Sequence, residues 1–366
     1  MSLQIGLVGL PNVGKTTIFN ALTGAKAEVA SYPFTTIKPN VGVVAVPDER
    51  LERIAAIVKP ERTVPATLEL LDIAGLVKGA SYGEGLGNQF LGYIRNVDAI
   101  AMVVRCFIAP EIPHVTPALN PQEDIEVVSL ELALADLATV ERRLERVKRA
   151  LKGQGGDQYQ LELELLTRLQ LTLSEGLAVR KSSFGEEEWE LLKGLNLLTA
   201  KPMLYVANVG EEDLPDGGDL ALAVAEVAER EGSGFVAFSA EMEVELAEWA
   251  PEEAAASRKE LGLGETGLTQ FIKASYSLLS LLTFFTTTGG EEVRAWRLAK
   301  GSNVLTAAGQ IHSDMQRGFI RAEVISYSDL VAADSFAELR ERGLVRLEGR
   351  DYIVQDGDII HIRFAI

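Results

Sequence analysis

Gly9-Leu10-Pro11-Asn12-Val13-Gly14-Lys15-Thr16 sets two glycines, a lysine and a hydroxyl at a spacing suited to gripping phosphate. Glycine lets the backbone wrap closely, so consecutive N–H groups point inward at phosphate oxygens. Lys15 puts a positive point charge between the β- and γ-phosphates, which makes it a catalytic as well as a binding candidate. The Thr16 hydroxyl is a ligand for Mg²⁺. The run matches G-x-x-x-x-G-K-[ST] at every fixed position, with an apolar strand before it (residues 4–9, QIGLVG) and a helix signal after it. That context separates a P-loop from a chance glycine-rich turn.

The groups such a loop needs follow in order. Asp72-Ile73-Ala74-Gly75 ends the apolar run Thr67–Asp72 and fits D-x-x-G. Asp72 is expected to hold Mg²⁺ through water, and the Gly75 N–H to sense the γ-phosphate. Alone, D-x-x-G means little; at the end of a buried strand after a P-loop it means more. Between the two motifs, Tyr32-Pro33-Phe34-Thr35-Thr36 offers two hydroxyls in a polar-flanked loop. One of them completes the Mg²⁺ shell if the loop orders around triphosphate, and Thr36 is the choice; ordinary turn threonines are the alternative.

GTPases read guanine with N-K-x-D, where the Asp accepts two ring donors and the Lys stem packs along the ring. Here the strand ends Asn208-Val209-Gly210-Glu211, with Val209 at the Lys position and Glu211 at the Asp position. Glu carries one extra methylene and cannot take the same bidentate geometry without displacement. A site deprived of its acceptor loses strong guanine preference, which favours ATP or mixed ATP/GTP use over strict GTP. Ser239-Ala240, after the last apolar strand, fits the other loop lining the base.

For hydrolysis, the position just after D-x-x-G is Leu76, which cannot orient water as a Gln there would. Intrinsic turnover should therefore be slow, and another group must position the water, brought in by the glycine-rich stretch 79–87 or by a docking partner. His114 follows the strand Ala99–Cys106 in a loop with Pro113 and Pro117, on the edge where the motifs gather. A neutral imidazole can orient or deprotonate water near pH 7. His114 is therefore read either as that group or as a surface-loop histidine. Asn12 allows a second reading, K⁺ held beside the β- and γ-phosphates where an arginine finger would act, against ordinary loop hydrogen bonding.

These residues need a scaffold. Apolar runs at 4–9, 67–72, 99–106, 202–208 and 235–239 alternate with helical stretches, as in a mainly parallel sheet covered on both faces. Every motif falls at a carboxyl end of such a strand, where ligands sit in open α/β sheets. Leu130, Leu134, Leu137, Val140, Leu144, Val147 and Leu151 mark one long amphipathic helix. Gly153-Gln154-Gly155-Gly156 breaks it, and Leu166, Leu169 and Leu173 resume the pattern. An antiparallel helical hairpin follows, its leucines packing between the helices. From about Leu278 the pattern becomes strand-like at 283–288, 293–298, 321–325, 352–354 and 359–364, with one short helix near 328–342.

The fold class is thus α/β: a P-loop NTPase domain of the Ras-like G-domain type, with an inserted antiparallel helical hairpin and a small C-terminal α+β domain. The expected spans are 1–118 with 200–277, then 119–199, then 278–366. The 366 residues are too many for one ordinary core. With 47% hydrophobic and 24% charged residues the chain reads as globular, and no apolar run reaches the roughly 18–20 residues of a membrane span. One cysteine and an N-terminus without signal features suggest a reducing cytoplasm, and no motif demands a dimer, so a monomer is expected. A net charge of -18 opposes indiscriminate nucleic-acid binding. From Leu278 onward, however, ten Lys/Arg nearly balance twelve Asp/Glu. Arg294, Arg297, Lys300, Arg317 and Arg321 could form an RNA-facing patch there, or simply be solvated charges.

Through GLPNVGKT, YPFTTIKPN, DIAGLVKGAS, YVANVGEED and FSAEMEVEL, the chain resembles the YchF-type Obg-like ATPases over essentially its whole length. The Asn208–Glu211 departure from the guanine motif is itself a mark of that family. The resemblance implies an ATPase preferring ATP to GTP within a GTPase fold, a C-terminal segment similar to TGS domains, and association with ribosomes in translation or stress response. Carried over by position, nucleotide contacts fall on Asn12, Val13, Gly14, Lys15, Thr16 and Thr17, and on Asn208, Val209 and Ser239; Mg²⁺ falls on Thr16 and Thr36. Two other readings stay open: a GTPase with a degenerate base motif, and a nucleotide-gated binding module in which hydrolysis is incidental.

Overall fold

The structure is a computed structural model that describes residues 3–24, 39–73, 86–113, 119–151, 159–288, 290–333 and 335–365. Thr36, Gly75, Leu76 and His114 lie outside the described residues. In chain order the elements begin β1 (Gln4–Val8), α1 (Lys15–Thr23), β2 (Asn40–Ala45), α2 (Glu49–Val58), β3 (Arg62–Val64) and β4 (Thr67–Asp72). Next come α3 (Leu86–Arg95), β5 (Ala99–Cys106), α4 (Pro121–Leu151), α5 (Gln160–Ser174), α6 (Glu186–Leu195), β6 (Met203–Val209), α7 (Gly218–Glu231) and β7 (Gly234–Phe238). The chain closes with α8 (Ala240–Leu246), α9 (Pro251–Glu260), α10 (Gly267–Leu278), β8 (Leu281–Thr288), β9 (Glu292–Ala299), α11 (Val304–Ile311), α12 (Ser313–Arg317), β10 (Phe319–Ile325), α13 (Tyr327–Ala333), α14 (Phe336–Glu341), β11 (Arg346–Glu348) and β12 (Ile359–Phe364).

Two compact units result, Met1–Val43 with Glu69–Ala274, and Val44–Leu68 with Ser275–Ile366. The first is built on a six-stranded sheet in the order β2-β4-β1-β5-β6-β7. Strand β1 pairs in parallel with β4 and β5, β5 with β6, and β6 with β7. All eight residues of β5 and all seven of β6 are buried, as continuous apolar runs require when both faces are covered. The parallel order leaves the carboxyl ends of β1, β4, β5 and β6 on one edge.

Within this unit α4 and α5 run antiparallel: Arg143 pairs with Glu162, while the earlier Glu141 accepts from the later Gln170. Val140, Leu144 and Val147 bury against Leu165, Leu166, Leu169 and Leu173. A third helix extends the expected two. Leu192 of α6, with Leu197 and Val179, closes the same apolar cluster, because two helices alone leave a flank of their leucines to water. The base of the insertion is tied by Asp136, whose carboxylate accepts from the N–H groups of Leu198 and Thr199, the Thr199 hydroxyl and Arg95. Burial pushes this carboxyl above its ordinary range, against the opposing pull of those donors.

The second unit is a mixed sheet in the order β11-β10-β12-β8-β9-β3. Its end strand β3 comes from early in the chain and pairs in parallel with β9, so residues 44–68 belong here rather than with their sequence neighbours. Arg50 on α2 bonds to Asp48 and Asp356, and the latter also accepts from Thr283 N–H. Leu282, Phe284, Val324, Ile360 and Ile362 pack with Val304, Ala307 and Ala308 of α11. Where one helix was expected near 328–342, a Ser335 N-cap separates α13 from α14, and α11 and α12 are additional, capped by Asn303 and by the His312 ring. The expected strand at 352–354 is only a bridge between Ile353 and Asn303, because Tyr352 N–H turns back to the Gly349 carbonyl.

Candidate nucleotide site

The loop between β1 and α1 is shaped by contacts that only particular residues permit. A Cβ at Gly9 would lie 2.4 Å from the Val103 carbonyl of β5, and one at Gly14 would lie 2.2 Å from Asn208 Nδ2. Gly14 is also left-handed at φ 90, as is Asn12 at φ 63, a conformation Asn tolerates better than most side chains. The loop can therefore curl closely around an anion without side chains intruding.

Lys15 is buried, and its ammonium donates to the carbonyls of Gly9 at 3.2 Å and Leu10 at 2.6 Å. An ammonium has three donors, so one remains for a phosphate oxygen. Burial lowers the Lys15 pKa to about 8, partly opposed by the attraction of Asp72. Thr16 Oγ1 donates to Asp72 Oδ2 at 2.9 Å, which joins the hydroxyl after the lysine to the carboxylate ending β4. These are two hard oxygen donors side by side. They suit Mg²⁺, which takes one or two protein oxygens and completes its octahedron with phosphate and water. Among the described residues no cluster of three His, Cys, Asp or Glu offers an all-protein cage.

On the base side, Asn208 is buried, and both ends of its amide are used within the protein. Nδ2 donates to the Val13 carbonyl at 3.1 Å, and Oδ1 accepts from Ala240 N–H at 3.1 Å. Ser239, also buried, caps α8 by accepting from Met242 N–H. Val209 is buried within β6 opposite Cys106, and exposed Glu211 opens a short 3-10 turn. Thr17 is exposed on the first turn of α1. The structure thus brings Asn12, Val13, Gly14, Lys15, Thr16 and Asp72 together at one end of β1 and β4, with Asn208 braced against the same loop and bonded to Ala240, next to Ser239.

Sequence reasoning passed over Arg105. It sits in the otherwise apolar AIAMVVRC strand, and its guanidinium donates to the carbonyls of Phe107, Ala109 and Ile112. The loop so held reaches the P-loop, since Asn12 Nδ2 donates to the Pro113 carbonyl at 3.1 Å. A charged residue inside a fully buried strand was the available signal. In the second unit the candidate basic patch is partly engaged by its own chain. Arg297 donates to the Thr67 carbonyl, Arg317 pairs with Asp314, and Arg294 lies 4.3 Å from the Trp296 ring centroid; Lys300 and Arg321 are exposed.

A parallel sheet carrying a glycine-shaped loop, a lysine and an adjoining hydroxyl–carboxylate pair defines a P-loop nucleotide-binding protein of the G-domain type. A family model described as 50S ribosome-binding GTPase matches residues 4–144, and the model YchF-GTPase_C, described as a protein of unknown function, matches residues 281–365. A Bacillus subtilis (strain 168) protein named Ribosome-binding ATPase YchF is 50% identical over 368 residues, with 100% of both chains covered. Its Escherichia coli O157:H7 namesake is 48% identical over 366 residues, again covering 100% of both. The solved structure of the Schizosaccharomyces pombe YchF GTPase superposes with a TM-score of 0.86 at 35% identity, covering 99% of this chain and 98% of that one. This chain belongs to the YchF family.

Proposed function

We propose that this protein is a cytoplasmic, monomeric, Mg²⁺-dependent ATPase that hydrolyses ATP to ADP and phosphate and associates with ribosomes as a nucleotide-controlled switch. The observation that carries the reading is the pairing of a P-loop phosphate site with an altered base site. Lys15, Thr16 and Asp72 form the first, whereas Val209 and Glu211 stand where a guanine reader has Lys and Asp. The curated relatives' printed name, ribosome-binding ATPase, agrees with it. The unit of residues 1–43 and 69–274 supplies nucleotide binding, with 119–199 as its arm, and residues 44–68 with 275–366 supply the TGS-like part, so the expected first span loses 44–68 to the second unit. No described helix is long and apolar enough to cross a membrane. Salt-dependent cosedimentation tests the ribosome association; its absence at low salt would remove that part of the proposal.

In this reading Thr16, Thr36 and, through water, Asp72 would hold Mg²⁺, which would supply positive charge against the phosphates. The protein's own contribution is positional. Lys15 and the N–H groups of residues 12–17 fix the phosphates, the Gly75 N–H senses the γ-phosphate, and Asn208, Val209, Glu211 and Ser239 border the base. His114 orients or deprotonates the attacking water. Support for that assignment comes from its neighbour, because the Pro113 carbonyl is bonded to P-loop Asn12. That bond uses the amide nitrogen of Asn12 and leaves Oδ1 to contact K⁺. His114→Ala is expected to slow hydrolysis about a hundredfold with nucleotide affinity kept, and exchange of K⁺ for Na⁺ to slow it as well. Unchanged rates would remove the corresponding role.

A second reading, a GTPase, is favoured by the name given to the fission yeast structure. Competition of ATP and GTP for one fluorescent nucleotide in Mg²⁺ separates the two. ATP is expected to bind about tenfold tighter, about 1.4 kcal/mol. Tighter GTP binding would make the GTPase reading correct.

A further inference from the structure

The loop after β5, residues 107–113, is exposed on its outer side. Ile108 is 76% exposed, Ile112 38%, and Pro110, Glu111 and Pro113 face solvent. Apolar burial therefore does little to hold it. Beneath it lies Arg105, only 4% exposed, in register with Asn208 of the neighbouring strand. Its Nε donates to Phe107 O at 3.2 Å, Nη1 to Ile112 O at 3.1 Å and Nη2 to Ala109 O at 2.9 Å. The guanidinium also lies 4.6 Å from the Phe107 ring centroid. A planar fork with fixed donors sets the relative positions of three carbonyls as one flexible ammonium cannot. The far end of the loop is fastened separately, through Asn12 Nδ2 to Pro113 O.

We infer that Arg105 is a positioning residue for hydrolysis: it shapes the 107–113 loop from below and presents it to Asn12, so that this loop forms one wall of the phosphate site. The inference rests on the reading of this site as an ATPase centre and extends it to a residue that touches neither nucleotide nor metal. A buried arginine bonded to carbonyls does not need its charge to fold the strand, since an apolar side chain would fill β5 as its neighbours do. What an apolar side chain cannot do is define the loop.

Arg105→Met and Arg105→Lys test it in the full-length protein, with ATP affinity, steady-state ATP hydrolysis and amide hydrogen exchange of residues 107–113 measured for each. Arg105→Met is expected to speed exchange across the loop and lower kcat at least tenfold, with the ATP dissociation constant changed less than threefold. Arg105→Lys should recover part of both losses, which also covers the case of a poorly folded Met variant. Loop exchange as slow as in the parent would overturn the clamp, whatever hydrolysis does. Faster exchange with unchanged kcat would overturn its role in hydrolysis. His114→Ala run alongside keeps the two ideas apart: if that variant hydrolyses normally, the histidine assignment fails alone, and the exchange result still judges Arg105.

Discussion

Lys15→Met is expected to weaken ATP and GTP binding by at least about thirtyfold while leaving the nucleotide-free protein about as stable as the parent. The first half follows from the site. Truncating one partner of a buried charge pair costs roughly 2–5 kcal/mol, or about thirty- to several-thousandfold in affinity. The second half follows from the cost of keeping the ammonium buried. Its pKa of about 8 lies below the ordinary lysine value of 10.5, so between those pH values the unfolded chain binds more protons than the folded one. Stability from this group therefore rises with pH across that window, and at pH 7 the burial costs about 3 kcal/mol. Methionine removes that penalty but leaves the Gly9 and Leu10 carbonyls short of a donor, about 1–3 kcal/mol each, so the two effects nearly offset.

The same pKa sets the pH dependence of binding. Phosphate favours the charged ammonium, so parent affinity should fall as pH is raised from 7.5 to 9.5, with proton uptake on binding; Lys15→Met should lack that dependence. Calorimetric titration in buffers of different ionisation enthalpy reads both. Parent affinity unchanged through pH 9.5 would mean that Lys15 does not meet the phosphates.

The phosphate loop was legible from sequence because its chemistry admits few residue types. Only glycine tolerates the 2.2 Å approach of Asn208 to position 14, and only a long cation reaches across the loop from position 15. The same holds for β4, where an apolar run ends on a carboxylate that meets Thr16. What stayed hidden depends on distant pairing. The capping pattern of Asp48 marks the start of α2, but nothing local says that Arg62–Val64 will pair with β9 more than two hundred residues later. Helix α11 had its Asn303 cap in plain view, and its apolar composition was outweighed by the strand-like runs around it. Arg105 was hidden for a different reason: its partners are backbone carbonyls of a loop, and a carbonyl has no letter in the sequence.

Asn208→Ala is the second large effect, and it separates two roles that the sequence could not. If Asn208 acts only on the base, its loss changes the ratio of ATP to GTP affinity and leaves the fold alone. The structure shows it bracing the site first, since one amide joins Val13 O in the P-loop to Ala240 N–H at the start of α8, both buried. Alanine leaves one carbonyl and one N–H unpaired in a site that water enters poorly, at roughly 1–3 kcal/mol each. Expected is a loss of about 2–4 kcal/mol in stability of the nucleotide-free protein. ATP and GTP affinity should fall together, at least tenfold, because the P-loop loses its brace at Val13. An amide nitrogen has two hydrogens and its oxygen two lone pairs, so a base contact can coexist with the brace, but it adds the smaller share. Asn208→Asp sharpens the test, since it keeps an acceptor for Ala240 and sets a carboxylate against the Val13 carbonyl. It should bind nucleotide no better than alanine. Denaturant unfolding together with ATP and GTP titration of both variants decides the matter: intact stability with an altered ATP-to-GTP ratio would make Asn208 a base reader first.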